Sequence, residues 1–126
     1  MGDDTAPVSL TLRLKATESL VRRALEPILG PAHITFEHWQ VLVALLEEPG
    51  RRMTDLAEAA ALPAATLTRH VDRLVSLALV VRRVDPADKR RAVVALSQRG
   101  EELAQRLRAA EADVEQLIEL PRSAVH

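Results

Sequence analysis

Two cationic groups in this 126-residue chain have the types and spacing to act on another molecule: Arg69 and Arg73, and the run Asp88-Lys89-Arg90-Arg91. Arginine presents a planar fork of donors that matches guanine edges and phosphate oxygens. Arginine is also weakly hydrated, so it enters a narrow, negative groove better than lysine does. The bland reading of both groups is a solvated surface. Local charge weighs against it: Pro63 to Arg91 holds seven cations and three acids, a surplus of four, and the rest of the chain carries a deficit of five. The net charge of −1 therefore hides a basic stripe, which is the footprint a polyanion requires.

Other chemistry has less to build on. Cysteine is absent, which excludes disulfides, thiolate metal sites and thiol sensing, leaving Met1 and Met53 as the sulfur-bearing residues. His33, Glu37 and His38 invite a metal reading, but His33 precedes the helix that carries His38 and lacks the i, i+4 relation of a shared face. No metal or other cofactor is expected. Nor is an enzyme: there is no glycine-rich phosphate loop, no nucleophile elbow and no carboxylate pair in an apolar setting. Phe36 and Trp39 are the only aromatic residues, too few for a groove that stacks single-stranded bases.

These groups must be held by a fold, and the chain is long enough for one domain, taken as 1–126. Hydrophobic residues are 48% and charged residues 28%, an ordinary globular balance. Met1 to Ser9 lack an apolar signal core and no apolar run approaches a membrane span, so a cytoplasmic protein is expected. Leu10, Leu14, Thr17, Val21, Ala24 and Ile28 alternate by four and three, predicting a helix over about 9–26 that Pro27, Gly30 and Pro31 break. Thr35 can cap a second helix that stops at Pro49-Gly50, and Thr54 a short third helix through Ala60. After Leu62-Pro63, a fourth helix over about 64–76 buries Leu67, Val71, Leu74 and Val75. Two short helices joined by a brief break form a helix-turn-helix, whose second member enters the major groove of duplex DNA. The period then changes: valine-rich runs 80–84 and 92–96 flank a polar loop, Asp85 to Arg91, as in a β-hairpin. Ser97 can cap a last helix with the stripe Leu103, Leu107, Ala110, Val114 and Leu117, ending at Pro121.

The segment LTRHVDRLVSLALVVRRVDPADKRRAVVALSQRGEEL, with MTDLAEAAALPAATLTRHV before it, resembles the MarR family of winged-helix regulators. The most specific part is Asp85-Pro86 followed by Asp88-Lys89-Arg90 and a strand ending at Leu96-Ser97 ahead of Gly100. The resemblance implies a mainly α (α+β) winged helix-turn-helix with dimerisation helices at 9–29 and 98–118 and a DNA-binding lobe at 34–97. It further implies a homodimer on palindromic double-stranded DNA, acting as a repressor released by a ligand. Thr66, Thr68, Arg69 and Arg73 fall on the family's recognition helix, Lys89, Arg90 and Arg91 on its wing, and Asp88 on the acidic residue that braces the wing. Such regulators often hold a small molecule between the dimer helices and the DNA-binding lobe. Here Arg13, Arg22, His33, His38 and Trp39 are the candidates to hold a small aromatic or phenolic ligand, with core packing the stronger reading of Trp39.

Three departures stand out. Ala78 occupies a site where the family commonly has glycine, at a cost of about 1 kcal/mol if that backbone is left-handed. Pro63 replaces the side-chain cap of the recognition helix. The stretch after Leu117 is short for the family, which predicts a reduced dimer contact. Two other readings remain open: a winged-helix module that binds a protein, since fold alone does not fix function, and a protein that sequesters a ligand without touching DNA.

Overall fold

The computed structural model describes residues 8–118; Pro121, the expected stop of the last helix, lies outside them. The elements run α1 (Leu10–Ala32), α2 (Phe36–Glu47), α3 (Met53–Ala60), α4 (Ala64–Ser76), β1 (Val80–Asp85), β2 (Asp88–Leu96) and α5 (Gln98–Ile118). The two strands form one antiparallel hairpin, so the winged helix-turn-helix order read from the sequence is the order found.

Helix α1 does not break at Pro27. It runs through Pro27 and Pro31 to Ala32, because Leu25 and Leu29 on either side of Pro27 are fully buried in the core. Tertiary packing of an apolar face outweighs the lost donor of one proline. The helix ends where His33 turns left-handed at φ 60°. There the His33 amide donates to the Gly30 carbonyl and the Ile34 amide to that of Leu29, closing the free carbonyls.

Thr35 caps α2 as expected: its hydroxyl accepts the His38 amide at 3.4 Å, and the Thr35 amide donates back to His38 Nδ1 at 2.9 Å. This is a capping box with histidine in the slot that usually holds Glu or Gln. Helix α3 starts one residue before the expected cap Thr54, with Arg52 at its N-cap and no side-chain cap bond. The reason lies just upstream, where Arg51 is drawn into a bridge with Val94 of β2 and the chain turns into the helix directly after it.

The expected polar loop of the hairpin is mostly strand. Only Pro86 and Ala87 lie between β1 and β2, because the Asp85 carboxylate accepts the Ala87 amide at 2.9 Å and folds the tip into a side-chain-closed turn. Lys89, Arg90 and Arg91 therefore project from β2.

The core joins Leu25, Leu29, Trp39, Leu42, Leu45, Leu56, Leu67, Val71, Leu74 and Leu107. The two terminal stripes divide unequally. On α5, Leu103, Leu107 and Val114 are buried within the protomer. On α1, Leu10, Leu12 and Leu14 are more than 60% exposed, and so is Leu117 at the far end of α5.

Candidate nucleic-acid interface

Helix α4 is strongly two-faced: Leu67, Val71 and Leu74 are buried, while Thr68, Arg69, Asp72 and Arg73 are exposed and Thr66 is half-buried. Its start carries no side-chain cap, since Pro63 occupies the N-cap. The Thr68 hydroxyl donates to the Ala64 carbonyl at 3.1 Å, so its methyl and its acceptor lone pairs remain for a partner. Arg69 pairs with no carboxylate among the described residues. Arg73 reaches back 3.5 Å to the His33 carbonyl and so ties α4 to the α1–α2 corner.

A second link runs through His70, whose ring meets that of His38 edge-on at 4.4 Å. Burial is the largest cause that holds His38 down to about 4, and the His70 ring and the Arg73 guanidinium add to it while Glu37 opposes it. The Thr35 amide can only donate, so Nδ1 is unprotonated and neutral His38 carries its proton on Nε2.

The hairpin is locked to α4 by Arg82, which meets Asp72 at 2.5 Å. Neighbouring strand residues point to opposite faces, which leaves Arg83 on the other side of the ribbon. Arg83 and Lys89 are exposed and, like Arg69, carry no ion pair among the described residues. Asp88 gathers the remaining two wing cations. Arg90 Nε lies 3.1 Å and Arg91 Nε 3.3 Å from its carboxylate, and the side-chain and backbone hydrogen bonds from Arg90 hold it below the usual carboxylate range.

The turn between α4 and the wing is tightly built. Ala78 is left-handed at φ 61°, the conformation its usual glycine would supply. The Ser97 hydroxyl donates to the Ala78 carbonyl at 2.7 Å and accepts the Gly100 amide at 3.0 Å, capping α5 as expected. Gly100 lies so close that a Cβ would sit 1.9 Å from the Leu79 carbonyl oxygen. The first turn of α5 thus clamps the junction of α4 and the β1–β2 hairpin.

The five candidate ligand residues do not meet in one place. Trp39 is buried in the core, and His38 is engaged in the capping box. Arg22 pairs with Glu18 at 2.7 Å and Glu37 at 3.3 Å and covers the Phe36 ring, while Arg13 is exposed on the outer half of α1. Only His33 lines a cleft of about 400 Å³, shared with Pro27, Ile28, Leu77, Arg99 and Arg106. Sequence reading missed Arg99 and Arg106, although their i, i+7 spacing on α5 places them on one side of that helix.

Residues 34–91 match the model of the MarR family. The chain is 34% identical over 90 residues to the HTH-type transcriptional regulator FarR of Neisseria gonorrhoeae, an alignment covering 71% of this chain and 61% of that one. It is 39% identical over 70 residues to the transcriptional regulator HosA of Escherichia coli O111:H-, covering 56% and 52%. The chain thus spans between half and two thirds of the length of these curated relatives. Among solved structures it superimposes on NadR in complex with 4-hydroxyphenylacetate with a TM-score of 0.75 at 28% identity, over 94% of this chain and 84% of that one. With the winged-helix geometry, the helix-turn-helix and the D-K-R wing in place, the chain is similar to the MarR family over the lobe that its model matches.

Proposed function

We propose that the protein is a sequence-specific regulator of transcription that binds double-stranded DNA as a homodimer, with α4 in the major groove and the β1–β2 wing on the flanking minor groove. The observation that carries this reading is the exposed edge of α4, Thr68 and Arg69, joined through the Asp72–Arg82 pair to a wing bearing Arg83 and Lys89, which have no acidic partner among the described residues. Regulators FarR and HosA are named for the same role. The exposed leucines of α1 and Leu117 supply an apolar surface for a second copy, and a two-fold pair would read half-sites about one helical turn apart in a palindrome. Leu107 is not part of that surface, being buried in its own protomer.

The regulator is a repressor released by a small aromatic or phenolic acid. The cleft beside His33 suits such a ligand: Arg99 and Arg106 face an acid group and Pro27, Ile28 and Leu77 an apolar ring. The test is duplex binding over a salt series with fragments selected from the source genome. Affinity that falls steeply with salt and depends on sequence supports the regulator, and addition of aromatic acids should lower it. Salt-insensitive capture of a protein with no duplex binding refutes it in favour of the interaction module.

A further inference from the structure

The wing is fastened at its tip as well as at its base. At the base, Val80, Val93, Val94 and Ala95 are buried, and the Arg51 backbone exchanges two hydrogen bonds with Val94, at 2.7 and 3.1 Å. The middle, Arg82 to Val84 and Lys89 to Ala92, is exposed on both strands. Yet Asp85, next to the tip, is only 8% exposed.

Asp85 stands directly across the ladder from Asp88. Like charges at facing positions drive two strands apart, and an isolated two-stranded ribbon is marginal without further support. Asp88 has two cations of its own wing, Arg90 and Arg91. Asp85 has none from the wing. Its carboxylate accepts the Ala87 amide through Oδ1, and its Oδ2 lies 3.4 Å from Arg52 Nη2 at the N-cap of α3. Among the described residues, Arg52 is the one cation paired with Asp85.

We infer that Arg52 is a positioning residue for the wing: acting through Asp85, it fixes the direction in which the hairpin tip leaves the body, and so where Lys89, Arg90 and Arg91 meet the DNA flanking the half-site. This rests on the DNA-binding reading for its consequence and on the free protein for its mechanism. Because Arg52 belongs to the connector between α2 and α3, the helix-turn-helix and the wing share one strut, and a shift in either moves the other.

Two measurements on the full chain test it. In the free protein, Arg52→Gln should speed hydrogen exchange of the Ala87 amide and its strand neighbours at least tenfold while leaving the amides of α2 and α4 unchanged. On duplexes with constant half-sites and varied flanks, Arg52→Gln should lose most of the wild-type preference for one flank over another, keep the penalty for a half-site mismatch, and be partly rescued as Arg52→Lys. Asp85→Asn should reproduce both effects, and the double variant should be no worse than either single one. Unchanged exchange at Ala87 overturns the strut. Additive losses in the double variant overturn it too, since Arg52 would then contact phosphate directly. A wild-type protein that binds no duplex refutes the regulator reading instead, and the exchange data still decide whether Arg52 holds the tip.

Discussion

Lowering the pH from 7 to 5 should unfold this protein more readily through one residue, His38. Its folded-state value is held to about 4 against an ordinary 6.5, so between those values the unfolded chain binds a proton that the folded chain refuses. Stability from this group is complete above 6.5, declines as pH falls, and is gone below about 4. The full difference of about 2.5 pH units corresponds to roughly 3 kcal/mol, of which about 2 kcal/mol is lost by pH 5. For a chain of this size that lowers the melting temperature by about 8 °C at fixed protein concentration. The structural cause is specific: a proton on Nδ1 would point a donor at the Thr35 amide and a charge at His70 and Arg73. His38→Gln keeps an acceptor for the cap but cannot titrate. Thermal melts of both proteins from pH 8 to 5 give the answer, because Glu37 and Asp88, each held low, titrate alike in both. Parallel pH slopes for wild type and His38→Gln would refute the argument.

Gly100→Ala should destabilise the fold by about 3 kcal/mol, since its methyl meets backbone 1.9 Å away rather than a movable side chain; an unchanged denaturation midpoint would contradict this. Ala78→Gly should do the reverse, raising stability by about 0.5 to 1 kcal/mol in the same assay by relieving a left-handed alanine. Arg69→Ala should weaken duplex binding by about 1 to 3 kcal/mol, with relaxed preference at one base if it reads a base edge and a uniform loss if it holds phosphate. Leu14→Glu should yield folded monomers by sedimentation, because Leu14 is 61% exposed and its replacement empties no core.

The sequence made the order of elements legible because each helix carries an apolar stripe and each break a proline, glycine or capping hydroxyl. It misplaced the end of α1 because Pro27 is a strong local signal, whereas the burial of Leu25 and Leu29 that overrides it exists only after α5 packs. It drew the wing loop too long because seven consecutive polar or small residues look like loop, and the Asp85 carboxylate that shortens the turn to Pro86-Ala87 is a contact rather than a pattern. Of the residues proposed to face DNA, the exposed edge of α4 follows from helical spacing alone. Contacts far apart in sequence, Arg52 with Asp85 and Arg82 with Asp72, left no periodic trace.

The same pairings change how the basic stripe should be counted. Of the seven cations between Pro63 and Arg91, Arg82, Arg90 and Arg91 already lie on Asp72 or Asp88, and Arg73 on a carbonyl. Under the proposed function, the attraction that steers the protein to a duplex at long range is thus carried mainly by Arg69, Arg73, Arg83 and Lys89, since a neutral carbonyl leaves the charge of Arg73 uncancelled. On the same proposal Arg90 exchanges a carboxylate for the minor groove, and that exchange gains most where the groove is narrow and its potential deep. Asp88 lowers what Arg90 gains on every flank by a similar amount, so it weakens binding throughout and leaves the difference between narrow and broad flanks as the groove sets it. On this argument the acidic residues inside the stripe temper overall affinity, while preference among flanks stays with the width and potential of the groove.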